Sequence, residues 1–238
     1  MNGSAAMLQA VRDGDASVVQ RLLSDDPRLV RATDGHLKTP LHWAAEHDHH
    51  DVAEMLLQAG ADLEATTSWG ATPLDWVATM GSTKVADLLL ARGAQGMNLV
   101  AAASLGKLDL VCKLLDSGTP HASLARRAVP AQPNDHWVAD TACMKGDVIS
   151  DAFYAACRNG HTAVAAALLE RGANVNAKGV FGGTALHWAA INGHKDTVAL
   201  LAAHGAGLTI RDTRFGLTPE EWAAEGQHDE IREMLHRA

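Results

Sequence analysis

Residues Thr184–Gly205 read TALHWAAINGHKDTVALLAAHG, and this run decides the fold. Thr184 offers a side-chain oxygen at a helix N-cap, and Leu186, Ala189 and Ala190 recur at the spacing of one helical face. Gly193-His194 makes a turn. Val198, Leu200 and Leu201 then line a second helix, which Gly205 ends where a left-handed φ is needed. The run is one complete helix–turn–helix unit. Two helices this short cannot bury a core alone, so the unit needs copies of itself on both sides.

The copies lie in fixed register. Thr39-Pro40-Leu41-His42-Trp43-Ala44-Ala45 repeats the opening, with Asp48 in the Gly193 place and Leu56, Leu57 and Gly60 behind it. Thr72-Pro73-Leu74-Asp75-Trp76 repeats it again, followed by Gly81, Leu89, Leu90 and Gly93. Gly106 brings Val111, Leu114, Leu115 and Gly118, and Gly160 brings Leu168, Leu169 and Gly172. At the ends, Gly14 brings Val19, Leu22 and Leu23, while Gln227-His228 brings Ile231, Met234 and Leu235. The reference positions are 14, 48, 81, 106, 160, 193 and 227, so most steps are 33 or 34 residues.

A period near 33 with a Thr-Pro-Leu-His signature is the ankyrin pattern, and the chain resembles that family over essentially its whole length. The run Phe181–Ala190 also looks like ankyrin proteins of bacteria. The resemblance implies an all-α solenoid of about seven helix–turn–helix units with hairpin fingers. The units are expected at about 5-33, 34-66, 67-96, 97-118, 151-178, 179-212 and 213-238, with an inserted loop at 119-150. It also implies a protein-binding scaffold, because ankyrin arrays usually bind other proteins, although one scaffold serves many tasks.

Composition narrows the setting. Hydrophobic residues make up 47% but aromatic ones only 4%, which suits closely stacked small-residue helices. A formal net charge of −8 discourages nucleic acid and anionic membrane as partners. No apolar run is long enough for a transmembrane helix, and the residues after Met1 lack the order of a signal peptide. Cys112, Cys143 and Cys157 are odd in number and unpatterned, and read as reduced thiols of a cytoplasmic protein. The terminal units, more polar than the rest, read as end caps.

Within the units, Pro40, Pro73 and Pro219 sit at the first helical position, where no N–H is missed. His42 and His187 stand where the family's histidine bonds between repeats. His47, His49, His50 and Asp51 are dense but straddle a turn, so no metal site and no cofactor is expected. Trp43, Trp76, Trp188 and Trp222 form a packing column. His36, Trp69, Phe181 and Phe215, three residues before each Thr, fall at the finger tips that the resemblance implies. They serve either as binding anchors or as rings packed on the neighbouring finger. A third column, facing the concave side in the family, holds Arg158 and the apolar Met80, Leu105 and Ile191, which form either an apolar centre within a polar groove or incidental exposure.

The spacing breaks once. From Gly81 to Gly106 the step is 25 residues, leaving no room for a finger, and from Gly106 to Gly160 it is 54. Two functions therefore compete. The first is recognition of another protein through finger tips and concave helices. The second is a small-molecule or enzymatic site under the 119–150 loop, with Asp135, His136, Asp140 and Arg158 as polar groups and Trp76, Trp137 and Tyr154 as walls.

Overall fold

The computed structural model describes residues 3–68, 70–81, 83–117 and 147–237. Among them are fourteen α-helices: α1 (Gly3–Arg12), α2 (Ala16–Asp25), α3 (Pro40–Glu46), α4 (His50–Gln58), α5 (Pro73–Met80), α6 (Thr83–Ala91), α7 (Leu99–Ser104), α8 (Leu108–Asp116), α9 (Val148–Arg158), α10 (Thr162–Glu170), α11 (Ala185–Ile191), α12 (Lys195–Ala203), α13 (Pro219–Glu225) and α14 (Asp229–Arg237). The described residues contain no strand, only an isolated antiparallel bridge between Lys178 and Thr184. The described residues are all-α, and their helices follow one another in pairs of the kind the repeat pattern predicts. No described helix is long and apolar enough to cross a membrane.

The helices start where side chains satisfy their orphan N–H groups. The Asp75 N–H donates to Thr72 Oγ1 at 3.2 Å while the Thr72 N–H donates to Asp75 Oδ2 at 3.0 Å, a reciprocal capping box opening α5. Thr218 and Glu221 open α13 in the same way. At α3 and α11 a histidine plays the acid's part. The Thr39 and Thr184 N–H groups donate to Nδ1 of His42 and His187, at 3.2 and 3.0 Å. An amide can only donate, so Nδ1 is the acceptor and Nε2 carries the hydrogen. Nε2 of His42 therefore donates to the Ala71 carbonyl (3.0 Å) and Nε2 of His187 to that of Leu217 (3.1 Å), tying each helix to the next finger.

The chain divides into two compact units, residues 1–97 and 98–238, with the boundary in the shortened step. In the first, α1 packs on α2 and α3, and α3 on α4 and α5, around Met7, Leu41, Leu56 and Leu89. In the second, α7 packs on α9, α9 on α11 and α11 on α13, around Leu99, Phe153, Leu168, Leu186 and Leu201.

A second set of histidines sets the repeat register. His49, His161 and His194 follow their reference positions, and each bonds through Nε2 to a carbonyl of the preceding unit: Arg12 (3.0 Å), Ser104 (2.9 Å) and Arg158 (3.0 Å). The His161 bond spans the long step, so Gly106 to Gly160 acts as a single repeat step despite its length. Lys107 takes the histidine's place at the unit boundary.

Two expectations are corrected. Helix α9 begins at Val148, capped by Asp147 through a 3.1 Å bond from the Ser150 N–H, so the end of the stretch assigned to the inserted loop is helical. It has 11 residues where α11 and α13 have 7, because its cap lies one turn upstream of the Thr184 position. Leu105 is a core residue, 3% exposed, and lines no groove. It ends α7, whose residues 101–104 are themselves buried, and Asn159 and His161 reach across to Ser104.

Candidate functional site: the finger tips

Each finger closes through its own backbone. In the first unit the Asp34 N–H donates to the Lys38 carbonyl (3.1 Å), while Asp34 Oδ1 accepts from the amides of His36 (2.8 Å) and Lys38 (3.0 Å). The tip then turns through Leu37, whose φ is +60°. Two residues before Thr72, Thr184 and Thr218 the same place is held by Gly70, Gly182 and Gly216, all with positive φ. Leu37 therefore adopts a left-handed conformation that glycine accepts freely and a leucine resists. Its side chain is 51% exposed; with Phe215, at 57%, it makes up the large exposed hydrophobics among the described residues. Both lie at finger tips.

In the second unit the tips of two fingers are joined. The carbonyl of Phe181 accepts from the Thr213 N–H (2.9 Å) and hydroxyl (2.8 Å). The equivalent bond in the first unit runs from the Ser68 N–H to the His36 carbonyl, at 2.9 Å. The joined tips carry an aromatic ladder. Phe215 meets Phe181 edge-on at 5.9 Å, Phe181 stacks on Trp188 at 6.3 Å, and Trp188 meets Trp222 edge-on at 5.2 Å. These are favoured ring geometries. The Arg214 guanidinium lies over both phenylalanines, 4.6 Å from Phe181 and 5.4 Å from Phe215.

Asp212 organises this tip from inside. Its carboxylate accepts from the N–H groups of Arg214 (2.8 Å), Phe215 (2.6 Å) and Leu217 (2.9 Å), and from Trp222 Nε1 (3.0 Å). Burial opposes its charge, but those bonds, Phe215's first, outweigh it and hold the pKa below the ordinary carboxylate range.

The first unit builds a different cluster behind its tips. Lys38 is 7% exposed, and its ammonium sits 4.1 Å from the Trp43 ring and 4.0 Å from the Trp76 ring and pairs with Glu46 Oε2 at 2.8 Å. Trp76 Nε1 donates to the same oxygen, also at 2.8 Å. The Arg12 guanidinium lies over Trp43 at 3.6 Å. A lysine supplied by the chain itself thus occupies the space between two indoles and a carboxylate.

Of the sequence-derived candidates, the structure brings Phe181 and Phe215 together, so ring packing and exposure hold at once. His36 is exposed at its own tip. Ile191 and Arg158 are half-buried, and the Arg158 carbonyl accepts from Asn192 and His194. Trp69, Trp137, Asp135, His136 and Asp140 lie outside the described residues, as does the Met80 side chain. Leu37, Arg214 and Lys38 went unnoticed in the sequence. Leu37 alone left a signal there, as the non-glycine in a glycine column.

A family model for ankyrin repeats, in three copies, matches residues 7–99, 99–212 and 152–238, and the chain belongs to the ankyrin-repeat family. The repeats of this family are protein-interaction modules. E3 ubiquitin-protein ligase XBAT32 of Arabidopsis thaliana is 32% identical over 218 residues, covering 89% of this chain and 38% of that protein. The serine/threonine-protein kinase VIK of the same plant is 41% identical over 66 residues, 28% of this chain and 15% of the kinase. The human ASB11 ankyrin repeat domain shares 23% identity at a TM-score of 0.49, covering 96% of both chains. The chain spans less than two-fifths of the length of these two plant relatives.

Proposed function

We propose that this chain is a protein-recognition scaffold that engages its partner with its finger tips. One observation carries the reading: among the described residues, the large apolar side chains more than half exposed, Leu37 and Phe215, both stand at tips, one of them in a strained conformation. Backbone strain that leaves an apolar group in water points to use of that group. The relatives pair such repeats with different chemistries, a ubiquitin ligase and a kinase, so recognition rather than catalysis is what transfers. In a ubiquitin ligase such a scaffold is suited to choosing the protein that is modified. We place the protein in the cytoplasm on its unpatterned cysteines; the bacterial likeness rests on the Phe181–Ala190 run alone. The test compares proteins retained from extract by the immobilised chain with those retained by a Leu37→Ser/Phe215→Ser variant of equal helicity. Selective loss of bound proteins is expected. An unchanged set would remove the tips from recognition.

A further inference from the structure

We infer that the joined tips of the last two fingers dock an acidic segment of the partner protein, with Arg214 as the charge contact and Phe215 as the apolar one. This rests on the finger-tip reading and gives it a chemical class. The charged residues of the two fingers, 172–184 and 205–217, are Lys178, Arg211, Asp212 and Arg214. Asp212 turns its charge inward, onto three backbone amides and an indole. Arg211 is already engaged, by the Gly216 carbonyl at 2.6 Å and by Glu221 at 3.1 Å. Arg214 is exposed and makes no ion pair among the described residues, yet its guanidinium is held in place over two rings. A cation fixed in this way loses little freedom when its N–H groups meet a carboxylate. The finger surface is therefore cationic on a chain whose formal net charge is −8, the complement of an acidic partner.

The contrast lies in the first unit. Its third-repeat finger carries Asp62 and Glu64, both exposed, and Lys38 in the preceding finger is buried against Glu46. Among the described residues, those fingers hold no guanidinium over an exposed ring. The proposed contact belongs to the second unit alone.

The experiment uses the full chain and fluorescence anisotropy with three probes: a labelled peptide of alternating aspartate and leucine, its lysine-for-aspartate counterpart, and an oligothymidylate of matching charge. The acidic peptide binds, and the lysine peptide does not. Arg214→Glu weakens the acidic peptide about tenfold or more and creates binding of the lysine peptide. Phe215→Ser weakens the acidic peptide without reversing the preference. Both side chains are exposed, and an unchanged helical circular dichroism spectrum accompanies each variant. Equal binding of the oligothymidylate, or an acidic-peptide affinity unmoved by Arg214→Glu, overturns the proposal. If Phe215→Ser alone abolishes binding, tip recognition survives and the acidic occupant falls. If neither variant matters, the acidic occupant falls, and the tip reading is decided by capture with the Leu37→Ser/Phe215→Ser variant. Self-association of the chain that Arg214→Glu dissolves would name a second copy as the occupant, and likewise overturn it.

Discussion

Leu37 adopts φ +60° where Gly70, Gly182 and Gly216 stand in the equivalent fingers. A left-handed non-glycine residue carries roughly 1–2 kcal/mol of strain, part of which a glycine would return as extra freedom in the unfolded chain. Leu37→Gly is expected to raise unfolding stability by about 0.5–1 kcal/mol in urea titrations while weakening partner capture. A fall in stability would mean that Leu37 packs usefully where it is. His42 makes the second residue-scale argument. It is fully buried, and burial drives its pKa down to about 4 against the pull of the Ala71 carbonyl. The folded pKa lies below the ordinary value of 6.5, so the unfolded chain takes up the proton first. The neutral ring's contribution is complete above pH 6.5 and drains away as pH falls toward 4, roughly 3 kcal/mol in all at about 1.4 kcal/mol per pH unit. Half-buried His161, His194 and the buried His187 shift in the same direction. Asp151 opposes them: desolvation first, then Asp147, raises it to about 7, so its protonation favours the folded state as pH falls. The clean measurement is therefore a difference. His42→Gln should be less stable than the natural chain at pH 7 and should converge on it by pH 4; parallel profiles would sink the argument.

At the scale of elements, α9 shows what the sequence reveals and what it hides. The helix pairs were legible because Thr-Pro, Gly-His and Leu-Leu recur in register, and capping chemistry and 3.6-residue periodicity act within a few residues. The turn added to α9 was not. Asp151 and Tyr154 hold the places of Thr184 and His187, so the familiar cap is missing, and the working cap, Asp147, stands four residues earlier. Leu105 misled for a related reason: a repeat column identifies a position along a helix, whereas burial depends on what covers it. The aromatic column at the tips was visible; the guanidinium over it was not, because cation–π geometry joins side chains whose approach no spacing rule encodes. Tyr154 also imposes a demand on the next finger. A Cβ on Gly179 would lie 2.1 Å from Tyr154 Cζ. Gly179→Ala is therefore expected to cost about 2 kcal/mol, the range of an overpacked core, read as a lowered denaturant midpoint. Tyr154→Leu in the same chain should recover part of that loss. Strictly additive effects would show that the two residues do not meet.

At the scale of the whole molecule, repeat architecture makes stability local, since each unit leans chiefly on its neighbours. Residues 98–238 form one of the two compact units and own a continuous row of buried side chains, Leu99, Phe153, Leu168, Leu186 and Leu201. The long step inside this unit does not interrupt it, because His161 and Asn159 reach Ser104 across the inserted residues. Its last helix, α14, turns Ile231 and Leu235 inward and exposes Arg232, Glu233 and Arg237. A chain of about 140 residues is large enough to bury roughly two-thirds of its unfolded surface. Residues 98–238 expressed alone should therefore keep a helical circular dichroism spectrum and melt in one cooperative step, and should keep the Arg214-dependent preference for the acidic peptide. A broad, sloping melt would mean instead that residues 98–238 do not form a self-sufficient core. A cooperative melt without the peptide preference would leave the fold argument standing and remove the tip from its own unit, since every group assigned to that contact lies between Gly179 and Trp222.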